Sequence, residues 1–252
     1  MAQTGNSLPT STVTQARVRL FEPTQRPSMR NGDWTETAWG KCRISGRLGQ
    51  RHADVLETCM RMHESIRVDE DPNDSTPGIT LLIDPARIRR ELGSGQYSQE
   101  QLWLLLGDLR SATIEIVAPG MHIMGGLLNH VEKSQRTVHN PLTKGERYLW
   151  RLPLGKALIQ LIQIDNPLWY KPGPLTKLQY GISQAVARHV LTHTNAPASG
   201  WTIDGLIHAV SDDTGSMALR NARRRLRADE LGLNALDIVI SGDRLTRATP
   251  AR

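Results

Sequence analysis

Residues 215–232, GSMALRNARRRLRADELG, place five arginines within the eight positions from Arg220 to Arg227. Guanidinium groups are permanently charged, planar and able to bond bidentately to phosphate or to guanine, so this density is chemistry for holding a polyanion. On a helix, Leu219, Ala222 and Leu226 fall on one face, suited to docking on a core. Arg220, Arg224 and Arg227 share a neighbouring outward face, Arg223 lies between that face and the core, and Arg225 lies on the other flank. Ser216 and Asn221 add short hydrogen-bonding side chains. A merely solvated basic helix carries interleaved Glu at four-residue spacing, and none occurs from Ser216 to Ala228. Arg244 and Arg247 follow on an expected hairpin, where a winged helix touches phosphate or minor groove.

Catalytic alternatives lack their parts. A rolling-circle relaxase needs a His-x-His metal pair and a nucleophilic Tyr; no such pair accompanies Tyr97, Tyr148, Tyr170 or Tyr180. HVLTH, residues 189–193, spaces two histidines one turn apart, but Val190 stands where a zinc protease has its glutamate. No phosphate-binding G-x-x-x-x-G-K-[ST] loop occurs. Cys59 and His63 also fall one turn apart, without a group to activate the thiol. The expectation is a non-enzyme with no catalytic residues, no metal site and no cofactor.

The 252-residue chain is long enough for two domains and carries a formal charge of +6 with a pI near 9.7. Residues 216–252 hold eight Arg against four acidic residues, so most of the excess sits in the last seventh of the chain. Such a concentration implies a polyanionic partner, of which nucleic acid is the commonest. Cys42 and Cys59 read as free thiols of a reducing cytosol. No apolar run approaches the roughly 20 residues that span a bilayer, so a soluble, cytoplasmic, bacterial protein without membrane contact is expected.

The elements that must position the arginines read as follows. Residues 1–44, rich in Thr, Ser, Gln, Pro and Asn, are expected to be a flexible arm. Gln50 to Arg67 has helical period, and DEDPNDSTPG, residues 69–78, reads as an acidic loop. A strand at Ile79–Ile83, a helix opened by Asp84-Pro85 and closed near Gly93, and a helix from Ser98 to Ser111 come next. TIEIVA and HIMGGLLNHVE flank the turn Pro119-Gly120 as a hairpin. Helix, strand, helix, helix, hairpin is the order of a winged-helix domain.

The second half repeats it: RYLWRL as a strand, PLGKALIQLIQ as a short helix, and a long helix from Leu175 to about Thr194. A short helix follows from Trp201 to Val210 with Thr202 or Asp204 near its start, then the arginine helix closed by Gly232, and a hairpin around Ser241-Gly242. The expected fold is α+β: two winged-helix domains in tandem, 45–133 for positioning or dimerisation and 147–252 as the DNA reader. Residues 1–44 form the arm and 134–146 the linker. The third helix of the first unit, SQEQLWLLLGDLRS, is not basic, and its run Leu102–Leu106 suits packing or self-association.

YSQEQLWLLLGDLRSATIEIV, YLWRLPLGKALIQLI, LTKLQYGISQAVARHVLTH and GSMALRNARRRLRADELGL with its hairpin together resemble plasmid replication initiators with tandem winged helices, of the RepC and TrfA type. The resemblance covers about residues 45–248 and rests on element order more than on any short motif. It implies a sequence-specific binder of double-stranded DNA from a bacterial mobile element, acting at repeated origin or operator sites and forming a homodimer in at least one state. It also implies contact with a helicase or with RNA polymerase. The alternative it leaves open is a dedicated transcriptional regulator, activator or autorepressor, of an integrative and conjugative element. Ser216, Arg220, Asn221, Arg223, Arg224, Arg225, Arg227, Arg244 and Arg247 are the expected DNA contacts.

Overall fold

The computed structural model describes residues 7–71, 74–93, 95–139 and 144–247. Its first elements are β1 (Ser11–Thr12), α1 (Val13–Arg17), β2 (Arg30–Thr37) and β3 (Gly40–Gly46). Then come α2 (Gln50–Met62), β4 (Ser65–Asp71), β5 (Asp74–Ile83), α3 (Pro85–Glu91) and α4 (Gln99–Ser111). β6 (Thr113–Ala118), β7 (Met121–Gly126), β8 (Glu132–His139), β9 (Glu146–Pro153) and α5 (Lys156–Ile164) complete the first unit. The chain continues through β10 (Pro167–Leu168), α6 (Gly173–Thr176), α7 (Gly181–Leu191), β11 (Trp201–Thr202) and α8 (Ile203–Val210). It ends with α9 (Ser216–Ala228), α10 (Glu230–Asn234), β12 (Ile238–Ser241) and β13 (Arg244–Arg247). The class is α+β, with small antiparallel sheets.

Local signals act where the sequence puts them. Asp84 caps α3 by accepting the Ala86 N–H at 3.0 Å, with Pro85 in the first turn where its missing N–H costs nothing. Ser98 and Gln101 form a reciprocal capping box that opens α4. Thr202 accepts the Gly205 N–H at 3.2 Å and opens α8.

Two cores form. Leu20, Ile44, Leu56, Ile83, Leu106, Ile116, Trp150 and Leu158 belong to the first, and Val186, Leu206, Leu226, Ile238 and Leu245 to the second. The first core is sandwiched with the sheets β2-β3-β6-β7 and β4-β5-β9-β8; the second backs onto the three-stranded sheet β11-β13-β12.

Several sequence expectations need correction. The segment expected as a flexible arm is folded from Ser11 onward: Thr12 and Gln15 make a capping box for α1, and Val18, Leu20, Cys42 and Ile44 are fully buried. Its scattered apolar residues escape a periodicity test because each serves a different neighbour. Most of the expected acidic loop extends the β4–β5 ladder, with Val68 opposite Ile79 and Asp69 opposite Gly78. Residues 134–139 of the expected linker 134–146 belong to strand β8, paired with β9. Trp150, Leu152, Leu158 and Leu161, expected in the second unit, fill the first core instead, so the boundary between cores lies after α5. Residues 140–143 of that expected linker lie outside the described residues.

The helix expected from Gln50 to Arg67 ends at Met62, and Ser65 to Arg67 begin β4, so two strands rather than one separate α2 from α3 before α4 and the hairpin. That hairpin joins β3, while β5 pairs with β4 and β9. The long helix expected from Leu175 divides into α6 and α7 because the Asp229 carboxylate accepts the N–H groups of Gln179 and Tyr180, both at 2.9 Å. Gly232 does not end the arginine helix. Asp229 caps α9, and Gly232 lies within α10, where a Cβ would come 2.7 Å from Leu178 Cδ2.

The cores are joined through α2 and α7. Arg188 donates to Glu57, Asp54 and Gln50, and Gln184 donates to Asp54, with all of these side chains buried. Tyr170 and Tyr97 add hydroxyl donors to Glu57 and Asp54 at 2.7 and 3.2 Å. The N-terminal segment straps the two together. Val18 and Leu20 enter the first core, while Arg19 between them donates to the carbonyls of Ala209 and His208 and pairs with Asp212. Arg19 adopts φ +56° to face the other way, a left-handed conformation offset by those bonds. Both cysteines are free and buried, and burial pushes the Cys59 thiol up to about 12.

Candidate nucleic-acid interface

α9 is held from beneath and open above. Leu226 is fully buried, and Leu219 and Ala222 pack against the second core, as their spacing predicts. Gly215 precedes the helix without a side-chain cap, and no acidic residue stands in the first turn, so the N–H groups there have no carboxylate partner from that turn. Arg225 and Arg227 in the last turn suit the negative end of the helix dipole.

The arginines divide by what they touch. Arg220 and Arg224 are exposed and make no hydrogen bond or ion pair with the described residues. Arg223 is committed within the fold. Its Nε and Nη2 donate to the two carboxylate oxygens of Asp204 at 2.6 and 2.5 Å, bracing α9 to α8. That bond holds the Asp204 carboxyl below its ordinary range and the Arg223 guanidinium above its own. Arg225 lies over the Tyr180 ring, 5.8 Å from its centroid, on the flank expected for it. Arg227 donates to the Gly242 carbonyl at 3.3 Å, joining the helix to the hairpin turn.

The hairpin arginines each commit one guanidinium nitrogen to a carbonyl within the fold. Leu245 anchors β13 in the core. Arg244 Nη1 donates to the carbonyls of Ser199 and Gly200 at 2.9 and 3.4 Å, and Arg247 Nη1 donates to His193 O at 3.1 Å. Gly242 takes φ +62° at the turn, a conformation that suits glycine. Arg244 keeps an exposed surface beside this turn, whereas Arg247 is half-buried.

The outward stripe of α9 therefore comprises Ser216, Arg220, Asn221 and Arg224, with Arg227 at its far end beside the hairpin. It also includes Met217, 65% exposed, which sequence reasoning passed over. The signal was present: Met217 lies opposite Leu219, Ala222 and Leu226 on the helical wheel. In the sequence Asp204 reads only as a helix-start residue; its pairing with Arg223 depends on the crossing of α8 and α9, which no spacing encodes.

Such a surface can do two things. Planar forks on a rigid helix can bond base edges or phosphates, and an exposed thioether can meet an apolar group between them. Among the described residues no group of three or more His, Cys, Asp or Glu is placed to hold a metal ion, and no helix is long and apolar enough to cross a membrane. No protein family, curated protein or solved structure matches the chain.

Proposed function

We propose that the protein is a non-enzymatic, sequence-specific binder of double-stranded DNA, with residues 181–247 acting as a winged helix that lays α9 in the major groove. The carrying observation is the contrast on α9: Arg220 and Arg224 stand unpaired outward while Arg223, Leu219 and Leu226 fasten the helix beneath them. Because α9 is already ordered by its core contacts, no backbone ordering is needed when these guanidinium groups bond a base edge, and only the arginine side chains are immobilised. Ser216 and Asn221 flank the reading face, Arg225 and Arg227 lie toward phosphates, and Arg244 with Arg247 carries the wing. Helices α3 and α4 followed by the β6–β7 hairpin, whose strand β6 pairs with β3, support a first winged-helix-like unit, elaborated by the sheet β4-β5-β9-β8, that positions the second. With the resemblance to tandem winged-helix initiators, this reading assigns the protein to replication initiation on a bacterial mobile element.

Selection of bound duplexes from a random pool, followed by footprinting of the strongest site at stated salt, tests the reading. The expected result is one preferred sequence bound at least about 1,000-fold more tightly than random duplex. Equal affinity for all sequences would overturn it. Direct repeats beside an AT-rich stretch would support initiation, whereas a single operator overlapping a promoter would support the regulator of an integrative and conjugative element.

A further inference from the structure

The sheet β4-β5-β9-β8 has a second face with chemistry of its own. Leu81, Ile83 and Leu152 alternate into the first core, which leaves Thr80, Leu82 and Arg151 on the other side. A cavity of about 800 Å³ lies there. Across its floor Ser65 stands opposite Leu82 and Leu82 opposite Arg151, with Arg67 and Thr80 in the next row. Strand β8 closes one side with a bulge: between the pairs Lys133–Trp150 and Thr137–Tyr148, four steps along β8 answer two along β9. The Ser134 hydroxyl accepts the Arg136 N–H at 3.0 Å and holds this bulge. A bulge interrupts ladder pairing and re-aims side chains, and here Lys133, Gln135 and Arg136 all line the cavity.

The lining is unbalanced in charge. Among the described residues, Arg67, Lys133, Arg136 and Arg151 share it with a single carboxylate, that of Glu132. Glu132 pairs with Arg151 at 2.7 Å, and Asp69, outside the lining, pairs with Arg67 at 2.7 Å. Lys133 and Arg136 are exposed, and their charged groups have no hydrogen-bond or ion-pair partner among the described residues. The two existing pairs are themselves exposed and weak, so either arginine can exchange its carboxylate for a stronger acceptor. Phosphate is that acceptor, because guanidinium forks bond its oxygens in pairs and an ammonium adds a point charge. The cations surround a hollow of the size that small ligands fill, rather than project from a ridge onto a duplex. No aromatic ring among the described residues lines it, so recognition rests on the phosphates and not on a stacked base. We propose that this cavity is a binding site for a small polyphosphate, a ligand with two or more linked phosphoryl groups held by Arg67, Lys133, Arg136 and Arg151. None of these residues belongs to α9 or its hairpin, so DNA reading can fail while this site stands.

Isothermal titration of the full chain with magnesium-free pyrophosphate and ATP, at about 150 mM salt to screen diffuse attraction, reads the site directly. Both should bind one to one with similar affinity. Orthophosphate, which reaches fewer of the cations, should bind at least about tenfold more weakly. Lys133→Ala and Arg136→Ala should each weaken pyrophosphate by about tenfold or more, with the melting temperature unchanged because both side chains are exposed and unpartnered. Arg224→Ala on α9 should leave pyrophosphate binding as it is. No saturable binding of either probe, binding indifferent to both cavity variants, or binding lost in Arg224→Ala would overturn the proposal. Weakened affinity for random duplex in Lys133→Ala and Arg136→Ala, without saturable binding of pyrophosphate, would also overturn it and make the cavity a contact for the DNA backbone.

Discussion

Arg188 of α7 and Glu57 of α2 face each other in a bidentate pair, Nε to Oε1 and Nη2 to Oε2, both at 2.8 Å and both shielded from solvent. Asp54 shares the same guanidinium at 2.6 Å, so one cation answers two carboxylates across the junction of the two cores. Desolvation pushes the Glu57 carboxyl above its ordinary range against the pull of Arg188. Buried charges of this kind add little net stability when paired and cost much when one partner is removed.

Arg188→Met is therefore expected to destabilise the protein by about 3 to 5 kcal/mol, measured by urea unfolding at neutral pH. Adding Glu57→Gln should restore part of that loss, because one of two stranded negative charges is gone. A loss below about 1 kcal/mol would mean that water reaches the junction and solvates the carboxylates.

On α9, Arg224→Ala should weaken binding to the preferred duplex by about 1 to 3 kcal/mol while leaving random duplex nearly unchanged. Arg223→Ala should act differently, through the lost hold of Asp204 on the helix. Asp204→Asn should reproduce its effect on DNA affinity even though Asp204 itself repels phosphate. Competition binding with specific and random duplexes separates these outcomes, and equal losses on both duplexes for Arg224→Ala would remove it from base reading.

Arg244→Ala should weaken all duplexes alike and lower the slope of log affinity against log salt by about one unit. Titration at four or more salt concentrations checks it. An unchanged slope would place Arg244 wholly in the support of the 199–200 loop.

Acid should loosen the contact between α7 and the N-terminal strap. His189 is lowered from 6.5 to about 4, by burial first and then by the charges of His193, Arg17 and Arg19. It is neutral in the folded chain and takes up a proton more readily when unfolded. Its contribution is thus present above about pH 6.5 and is lost as pH falls toward 4, amounting to about 3 kcal/mol at full loss. Stability measured across that window should fall less steeply for His189→Gln than for the wild type.

Gly155 closes the first core where α5 begins. A Cβ there would sit 2.0 Å from the Gly126 carbonyl oxygen and 3.0 Å from the Leu127 carbonyl carbon, backbone atoms that cannot rotate away as a side chain could. Gly155→Ala should cost about 3 kcal/mol or more in thermal or urea unfolding.

What the sequence discloses follows the range of the forces involved. Caps such as Asp84 and Ser98, the hairpin β6–β7 and the faces of α9 are decided within a few residues, and each is readable as a local pattern. The placement of β9 and α5 in the first core is decided by strands far away in the chain, and RYLWRL looks the same whichever sheet accepts it. Likewise the arginines of α9 are visible as a cluster, but their division between Asp204, Tyr180, Gly242 and open solvent depends on how α8, α7 and the hairpin cross. Thr, Gln and Pro in residues 8–30 resemble a disordered tail by composition, because partners from outside the segment complete the burial of Val18, Leu20 and Phe21.

The strap also sets an order of events. β1 pairs with β10, Ser11 opposite Leu168, and Arg19 reaches residues 208–212. During synthesis residues 11–19 must wait, unsheltered, until residues 167–168 and 208–212 have emerged, whereas domains otherwise complete themselves progressively as synthesis proceeds. Closure of the strap is then gated by segments far downstream of it, and the latch at Arg19 closes only after residues 208–212 have been made.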